Sequence, residues 1–363
     1  MTMQRDQTPE LSIIVPVLDE SAELAALFEN LSCQRGVCFE LILCDGGSRD
    51  ATPSLAAELA ATCPFILKST LSQRGRGRQM NAGAALAAGE LLLFLHADSR
   101  FPEAFALSRA VAAFRNGQGG SSSHARAAAR FSLTFRRSDD GASLAYCYYE
   151  AKARLNRSDC IRGDQGFLLS REFFRRLGGF DTSLPFFEDV TLGLSIARQG
   201  TWMLLPAEIT TSARRFEAEG LCQRQVVNAI IVNAAVTGWT EFFSVLPGLY
   251  RCHAETGRLL LFPLMTGIRT LLGDHDRTWR RTFWRATGRH VAANAWQLFF
   301  WLDVRRTFRA GGGPAAVEPR CLDFYRRRLA WLFQGAPAAL AAAALVRFWF
   351  GWLCLRGGLQ RRS

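Results

Sequence analysis

The chain has 363 residues, 49% of them hydrophobic, which is enough to bury a full core and to form more than one structural unit. Its ten cysteines are scattered without a CxxC pair or a Cys/His ligand spacing, which excludes a cysteine-based metal site of known spacing. Residues 1–10 are polar and no cleavable secretion signal is visible, so we expect reduced thiols in a cytoplasmic protein.

The net charge of +12 is unevenly distributed along the chain. Residues 1–250 contain 25 Lys and Arg against 26 Asp and Glu, whereas residues 251–363 contain 19 against 6. The basic excess of the last third is nearly all arginine and is mixed with Trp, Phe and Leu. Nucleic acid and an anionic membrane surface both attract such charge, but the apolar neighbours favour the membrane, and we expect no nucleic-acid partner.

Short apolar runs alternate with helical patterns over the first hundred residues. The predicted strands are 11–17, 39–44, 65–67 and 91–95, and the predicted helices are 21–31, 51–61 and the later part of 73–89. Strands that alternate with helices at this spacing predict an α/β fold with a doubly wound, mostly parallel sheet.

Polar side chains follow these strands where a ligand of such a sheet would bind, at the carboxyl ends. Asp45 ends the second strand, and Asp98 follows the fourth, where a hard cation and a phosphorylated substrate could meet it. Between them, a glycine-rich loop with Arg74, Arg76 and Arg78 enters a helix, which suits a diphosphate. Each feature alone is also typical of a turn, a cap or a solvated charge, but the three together favour a binding site.

The motifs at these strand ends resemble the N-terminal half of the family 2 glycosyltransferases. They read PVLDE at 16–20, CDGGSRDAT at 44–52, GRGRQMNAG at 75–83 and FLHADS at 94–99. The resemblance implies the GT-A fold, with a nucleotide-sugar donor, a UDP-sugar by preference. It also implies a nucleotide pocket lined by Pro16, Leu18, Glu20, Asp45, Arg78, Gln79, Asn81 and Ala97.

The segment His96–Asp98 occupies the position of the DxD motif of that family. His96 replaces the first carboxylate, and the last one, which the resemblance implies to be the metal ligand, is kept as Asp98. Oxygen ligands predict Mg²⁺ or Mn²⁺ as the divalent cation.

The middle of the chain is less regular. We predict a helix over 105–114, a turn over 116–123, a half-exposed strand over 130–135 and a helix within 139–156. Further strands are expected at 167–169 and 202–206, with helices over 171–177 and from 185 onward.

The motifs GDQG at 163–166, GGFD at 178–181 and FFEDVTLGLSIARQG at 186–200 resemble the acceptor half of the same family. Adjacent carboxylates at a helix start are also a common capping pattern. The resemblance implies that Asp189 is the general base, with Glu188 as its support or substitute, and that Gly163, Asp164 and Gln165 contact the acceptor. With SARRFE at 212–217, the pattern is similar to the arsenosugar-biosynthesis-type or radical-SAM-selenodomain-associated branch.

The last third is predicted to be helical and divides the chain into a catalytic domain, 1–220, and a C-terminal region, 221–363. Helical or interfacial patterns cover 222–249 and 292–304. Residues 336–355 have the length of a membrane span but contain Arg347. We therefore expect peripheral or anchored contact with the inner membrane face, and a lipid-linked acceptor is one hypothesis. A helical bundle that packs on the catalytic domain as a dimer interface is the alternative.

These features together predict a metal-assisted, inverting glycosyltransferase that moves a sugar to an acceptor hydroxyl. One alternative is a sugar nucleotidyltransferase, which would normally carry a glycine-rich phosphate loop after the first strand, where this chain has PVLDE. A second alternative is a non-catalytic, membrane-associated scaffold that binds nucleotide, suggested by His96 in place of an acid.

Overall fold

The computed structural model describes residues 8–117, 126–183, 187–250 and 257–359. The chain divides into two compact units, one formed by Met1–Arg136 with Tyr149–Ser212 and the other by Arg137–Tyr148 with Ala213–Ser363. The predicted limit of the catalytic domain at residue 220 stays a prediction.

The first unit is built on one seven-stranded sheet. Its strands are β1 (Leu11–Val17), β2 (Phe39–Asp45), β3 (Ile66–Leu71), β4 (Leu91–Phe94), β5 (Ala127–Arg136), β6 (Phe167–Ser170) and β7 (Thr201–Ser212). Their order is β3-β2-β1-β4-β6-β5-β7. Strands β3, β2, β1 and β4 are parallel, β6 is antiparallel to β4 and β5, and β5 pairs in parallel with β7.

Helices connect these strands and cover both faces of the sheet. They are α1 (Ser21–Ser32), α2 (Thr52–Thr62), α3 (Arg76–Leu86), α4 (Ala106–Gly117), α6 (Arg171–Leu177) and α7 (Glu188–Gln199). Helix α5 (Leu144–Ala153) is divided between the two units, because the first unit resumes at Tyr149. Alternate residues of β1 show the two faces, because Ile13 and Val15 belong to one buried cluster and Ile14 to another. The predicted doubly wound, mostly parallel α/β sheet is therefore confirmed.

Several predicted elements differ from the structure in extent. The third strand extends to Leu71, the last strand covers Thr201–Ser212, and α5 is shorter than the predicted segment 139–156. The half-exposed strand predicted over 130–135 was wrong in its exposure, because β5 lies between β6 and β7 and is buried through Leu133. Most of the predicted turn over 116–123 and residues 185 and 186 lie outside the described residues.

The second unit is helical, which confirms the predicted helical C-terminal region. Its helices are α8 (Arg214–Glu219), α9 (Leu221–Thr237), α10 (Glu241–Tyr250), α11 (Leu261–Asp274), α12 (Arg277–Ala293), α13 (Trp296–Arg309), α14 (Arg320–Phe324) and α15 (Ala336–Leu359). The segment 222–249, predicted as one helical pattern, forms the two helices α9 and α10. Gly238 ends α9 because it adopts a left-handed conformation with φ +73°. Likewise, the predicted helix over 292–304 is interrupted between α12 and α13.

Close contact between α3 and the sheet depends on Gly83. A Cβ atom at this position would lie 2.5 Å from Cys44 Sγ and 2.6 Å from Ile14 Cγ2, both buried side chains of the sheet. Because α3 carries the predicted diphosphate and nucleotide residues, this contact sets their distance from the strand ends.

We expect Gly83→Ala to destabilise the protein by about 1–3 kcal/mol, because the added methyl group must displace α3 or the two sheet side chains. Helix propensity alone predicts the opposite sign, a gain of up to about 1 kcal/mol. Urea unfolding measures the difference, with Ala85→Gly at an exposed position of α3 as the control for propensity. A stabilised Gly83→Ala variant would contradict the close packing.

Candidate active site at the carboxyl edge of the sheet

Asp45 lies at the end of β2, directly opposite Val17 in the parallel register. Its Oδ1 accepts hydrogen bonds from the backbone N–H of Gly47 at 3.1 Å and from the N–H and hydroxyl of Ser48 at 2.9 and 2.7 Å. The carboxylate is thereby fixed at the sheet edge, half-buried.

The loops after β1 and β2 are tied to each other by polar side chains. Asp19, with φ +54°, accepts hydrogen bonds on Oδ1 from the backbone N–H of Arg49 at 2.7 Å and Asp50 at 3.3 Å. The N–H of Glu20 donates to Thr52 Oγ1 at 2.9 Å. These bonds place the predicted pocket residues of the first loop, all half-buried, beside Asp45: Pro16, Leu18 and Glu20.

Gln79 and Asn81 on α3 are engaged with backbone groups. Gln79 Nε2 donates to the carbonyls of Val17 at 2.8 Å and Cys44 at 2.7 Å, which ties α3 to the ends of β1 and β2. Asn81 donates to the Phe180 carbonyl and accepts from its N–H, both at 2.9 Å. Both amides therefore organise the walls of the site through these contacts.

The arginines of α3 stand at its N-terminus. Gly75 precedes the helix with φ +138°, a conformation that L-residues with a side chain rarely adopt. Arg76 and Arg78 in the first turn are exposed. Two exposed guanidinium groups beside the unpaired N–H groups of a helix start suit an anionic ligand.

Asp98 follows β4 and contacts β7. Its Oδ2 accepts hydrogen bonds from the Thr211 hydroxyl at 3.1 Å and the Ser212 N–H at 3.2 Å. Arg100 holds this turn, because its guanidinium donates to the carbonyl of Ala97 at 2.8 Å and to the Glu23 carboxylate at 2.9 Å. The segment His96–Asp98 after β4 is therefore held in place by β7 and α1.

The second acid of the predicted pair is oriented by the GDQG segment. Asp189 Oδ2 accepts from the Gly163 N–H at 2.8 Å, and its Oδ1 accepts from the Val190 N–H at 2.8 Å. Glu188 is buried, and its carboxylate lies 3.7 Å from the Arg76 guanidinium. Burial, and then the neighbouring Asp189, raise the pKa of Glu188 above its usual value.

A pocket at this edge brings four residues together: Arg76, His96, Gly163 and Asp189. The rest of its lining is apolar and consists of Met80, Phe94, Phe167 and Phe180. Burial lowers the pKa of His96 to about 4, and the Arg76 charge adds to this, against the opposing effect of Asp98 and Asp189. His96 is therefore neutral at pH 7 and supplies no negative charge where the family motif has an acid.

Asp164 contributes a buried carboxylate to the same edge. Burial raises its pKa to about 6, Asp189 and Asp98 add to this, and Arg162 and Arg76 oppose it. Its Oδ1 has no hydrogen-bond partner among the described residues. A buried carboxylate oxygen without a partner, next to two further acids, is an arrangement that a cation would stabilise.

A preformed metal cage is not part of this edge. Within the described residues, no three His, Cys, Asp or Glu side chains converge on one metal position. Mg²⁺ and similar hard cations are commonly held by one or two carboxylates, with water and substrate phosphates completing the shell. Asp98, with Asp164 as a second oxygen donor, fits such a site.

Arg130 is a structural residue of this site that the sequence pattern did not reveal. It lies on β5, is 0% exposed, and donates to the carbonyls of Ala153 and Leu155 and, at 3.0 Å, to Gln165 Oε1. Gln165 in turn donates to the Cys160 carbonyl at 2.8 Å. The predicted acceptor residue Gln165 is therefore buried and supports the loop that carries Gly163 and Asp164.

Residues 12–178, just under half of the chain, match the model of glycosyl transferase family 2. The PGL/p-HBAD biosynthesis glycosyltransferase of Mycobacterium tuberculosis is 40% identical over 107 residues, which cover 29% of this chain and 41% of that relative. The chain thus spans about two fifths of that relative's length. Residues 12–178 of the first unit are therefore similar to the glycosyl transferase family 2 domain.

Two solved structures have similar folds. One is the mannosyltransferase PcManGT from Pyrobaculum calidifontis in complex with GDP-Man and Mn²⁺, with 18% identity, a TM-score of 0.47 and coverage of 95% of this chain and 88% of that one. The other is S. aureus TarS 1–349 in complex with UDP, with 15% identity, a TM-score of 0.48 and coverage of 88% and 91%.

We expect the isosteric variant Asp164→Asn to be more stable than the wild type above pH 6, by about 1–3 kcal/mol. In the folded protein the pKa of Asp164 is raised to about 6, above the usual value of about 4 for the unfolded chain. Protonation of this carboxyl group therefore stabilises the folded state at low pH, and that stabilisation is lost as pH rises from about 4 through 6. Urea unfolding across this pH range measures the difference between the two proteins.

The exposed carboxylate of Glu172 supplies the matched control, and Glu172→Gln should leave the pH dependence unchanged. Equal pH slopes for the wild type and Asp164→Asn would contradict the burial of this carboxylate.

Proposed function

We propose that this protein is a glycosyltransferase that moves a sugar from a nucleotide-sugar donor to an acceptor hydroxyl with inversion at the anomeric carbon. The observation that carries the proposal is the placement of Asp189. Its carboxylate lines the pocket beside His96 and Arg76 and is oriented by the Gly163 N–H. The family 2 domain supports the same reaction class.

The donor would bind at the ends of β1 and β2 and the start of α3. Asp45, with Pro16, Leu18 and Glu20, would contact the base and ribose, and Arg78 with the N–H groups of α3 would contact the diphosphate. We propose a UDP-sugar as the donor. Gln79 and Asn81 would act mainly through the backbone bonds described above, and Ala97, which is buried, through the wall of the pocket.

A divalent cation, Mg²⁺ or Mn²⁺, would be held by Asp98, with Asp164 as a second oxygen donor. When bound, it would neutralise the charge of the departing diphosphate. The unpartnered oxygen of Asp164 and the proximity of three carboxylates support this assignment.

Asp189 would act as the general base. It would accept the proton of the acceptor hydroxyl while the acceptor oxygen forms its bond to the anomeric carbon and the bond from that carbon to the diphosphate oxygen breaks, with its electron pair leaving on the diphosphate. Attack opposite the leaving group inverts the anomeric carbon. Glu188, paired with Arg76, would keep the start of α7 in place, and Gly163, Asp164 and Gln165 would form the acceptor side.

The alternatives make different predictions. A sugar nucleotidyltransferase would form a bond at the α-phosphate and release pyrophosphate, and a nucleotide-binding scaffold would turn over no donor. The oriented carboxylate of Asp189 favours the transferase over both.

We also propose that the protein acts at the cytoplasmic face of a membrane on a lipid-linked acceptor, as a peripheral or anchored protein. One helix, over Ala336–Leu355, has the length and hydropathy to cross a membrane, and it is mostly unburied. The basic excess of residues 251–363 supports an anionic surface as the partner. The motifs HADS, GDQG and SARRFE support membership of the arsenosugar-type branch.

We expect calorimetry to show that UDP or a UDP-sugar binds more tightly with Mn²⁺ than without it. In Asp98→Ala, the factor by which Mn²⁺ raises the nucleotide affinity should fall at least tenfold, which corresponds to about 1.4 kcal/mol of binding free energy. Asp189→Asn should keep nucleotide affinity but lower kcat for transfer by about 10²- to 10⁴-fold, because the acceptor hydroxyl loses its base. Glu58→Gln on the exposed side of α2 is the control and should change neither value.

Failure to bind any of UDP, GDP and UDP-sugars would refute the transferase proposal. Release of pyrophosphate from a sugar phosphate and a nucleoside triphosphate would instead support the nucleotidyltransferase, and tight binding without any donor turnover would support the scaffold.

A further inference from the structure

Helix α15 is apolar on both of its sides. One side, which includes Ala339, Ala343 and Cys354, is buried. It packs on α12 so closely that a Cβ atom at Gly288 would lie 2.0 Å from the Ala339 carbonyl oxygen. The opposite side, which we call the α15 outer face, carries exposed Leu340, Leu345, Phe348, Trp349, Trp352 and Leu355.

The residues of the outer face follow helical spacing. Leu345, Phe348, Trp352 and Leu355 are three or four positions apart and so form one stripe. A helix that is apolar all round is normally enclosed by protein or by lipid, yet Phe348 is 76% exposed. Leu345, Phe348 and Leu355 of this stripe are therefore exposed enough to contact an apolar partner.

The segment before α15 adds charge to this apolar surface. Arg326, Arg327 and Arg328 form a consecutive exposed triplet, and Trp331 follows at 69% exposure. The turn at 330–333 contacts α15. Exposed aromatic side chains next to arginines are the pattern of the headgroup layer of an anionic bilayer, which a second protein copy with the same positive charge would not match.

We infer that the α15 outer face lies in the surface of an anionic bilayer, with Arg326–Arg328 at the phosphate level. Arg347 lies within α15, and its guanidinium carbon stands 5.6 Å from the centroid of the Trp284 ring. A charge held beside the middle of the helix favours an orientation along the membrane surface over a span. This inference gives the proposed membrane contact a defined surface and does not depend on transferase activity.

The test is flotation of the full chain with vesicles of phosphatidylcholine, alone or mixed with phosphatidylglycerol. We expect binding to the mixed vesicles only, and a loss of about tenfold or more in Phe348→Glu and in the triple variant Arg326→Glu, Arg327→Glu, Arg328→Glu. Leu71→Glu is the matched control, because Leu71 on β3 is also 76% exposed, and it should bind as the wild type does.

Circular dichroism and nucleotide affinity show that each variant is folded, and sedimentation gives its oligomeric state. Failure of the wild-type protein to bind the anionic vesicles overturns the inference. A Phe348→Glu variant that still floats with the vesicles also overturns the inference. The same holds for a Phe348→Glu variant whose only change is from dimer to monomer, because a second copy of the chain would then cover the outer face. Nucleotide binding without flotation would leave the transferase proposal intact and reject this surface alone.

A second inference concerns Arg130. It is a fully buried guanidinium whose described hydrogen-bond acceptors are all neutral: the carbonyls of Ala153 and Leu155 and the side-chain oxygen of Gln165. Burial lowers its pKa to about 10, so it stays charged at pH 7. Burial of a cation without a carboxylate is unfavourable. The three acceptors flank Gly163 in the chain, because Ala153 and Leu155 precede it and Gln165 follows it.

We propose that Arg130 is a positioning residue, which holds the loop 153–165 so that the Gly163 N–H meets Asp189 Oδ2. This role rests on the proposed base. Steady-state kinetics on Arg130→Met should show kcat reduced about 10- to 100-fold with the donor KM unchanged, because β1, β2 and α3 are untouched. The acidic limb of the kcat profile should move to higher pH, because the carboxylate form of the base loses a hydrogen-bond donor.

Phe131→Leu, at the equally buried neighbour on β5, is the control for lost packing, and Arg130→Lys should restore part of kcat. If the pH profile of kcat in Arg130→Met did not move, and activity were lost only in proportion to the unfolded fraction, the role of Arg130 would be merely structural. If Asp189→Asn were fully active, the proposed base would fail, whatever the behaviour of Arg130.

Discussion

The parallel pairing of β1 with β2 and β4 is the constraint on which the site depends. It brings the ends of three strands to one edge, with Val17 opposite Asp45 and Ile14 opposite Phe94. Hydrogen bonds from Gln79 to two of these strand ends and the glycine contact at Gly83 then attach α3 to the sheet.

Negative charge is concentrated at this edge of the sheet. Asp189 and Asp98 add to the burial that raises the pKa of Asp164, and His96, neutral at pH 7, carries no further negative charge. Arg76 is the cation that faces this group from α3, and it also pairs with Glu188. In the proposed function, a diphosphate and a divalent cation would complete the balance of charge, which would account for the unpartnered Asp164 oxygen.

The second unit differs from the first in the distribution of its aromatic, apolar and basic side chains. Its helices bury Trp239 and Phe283, which contact each other with the half-buried Trp279 beside them, whereas α15 leaves a large apolar stripe exposed. Lys and Arg outnumber Asp and Glu by 19 to 6 in residues 251–363, which gives this part of the chain a positive potential. In the functions that we propose, strand ends of the first unit carry catalysis and helix faces of the second carry membrane attachment.

The local sequence determined the strands and helices of the first hundred residues and the motifs at their ends, because fully buried strands leave continuous apolar runs and their ends show polar breaks. It also determined the sign and place of the charge in the last third. Only the tertiary structure decided that β5 is buried on both sides, that Gln79, Asn81 and Gln165 bind backbone groups, and that Arg130 supports the loop before Gly163. Apart from the bond of Gln165 to the Cys160 carbonyl, the side-chain bonds among these facts join residues 23 to 99 positions apart in the chain, which periodicity within a segment does not encode.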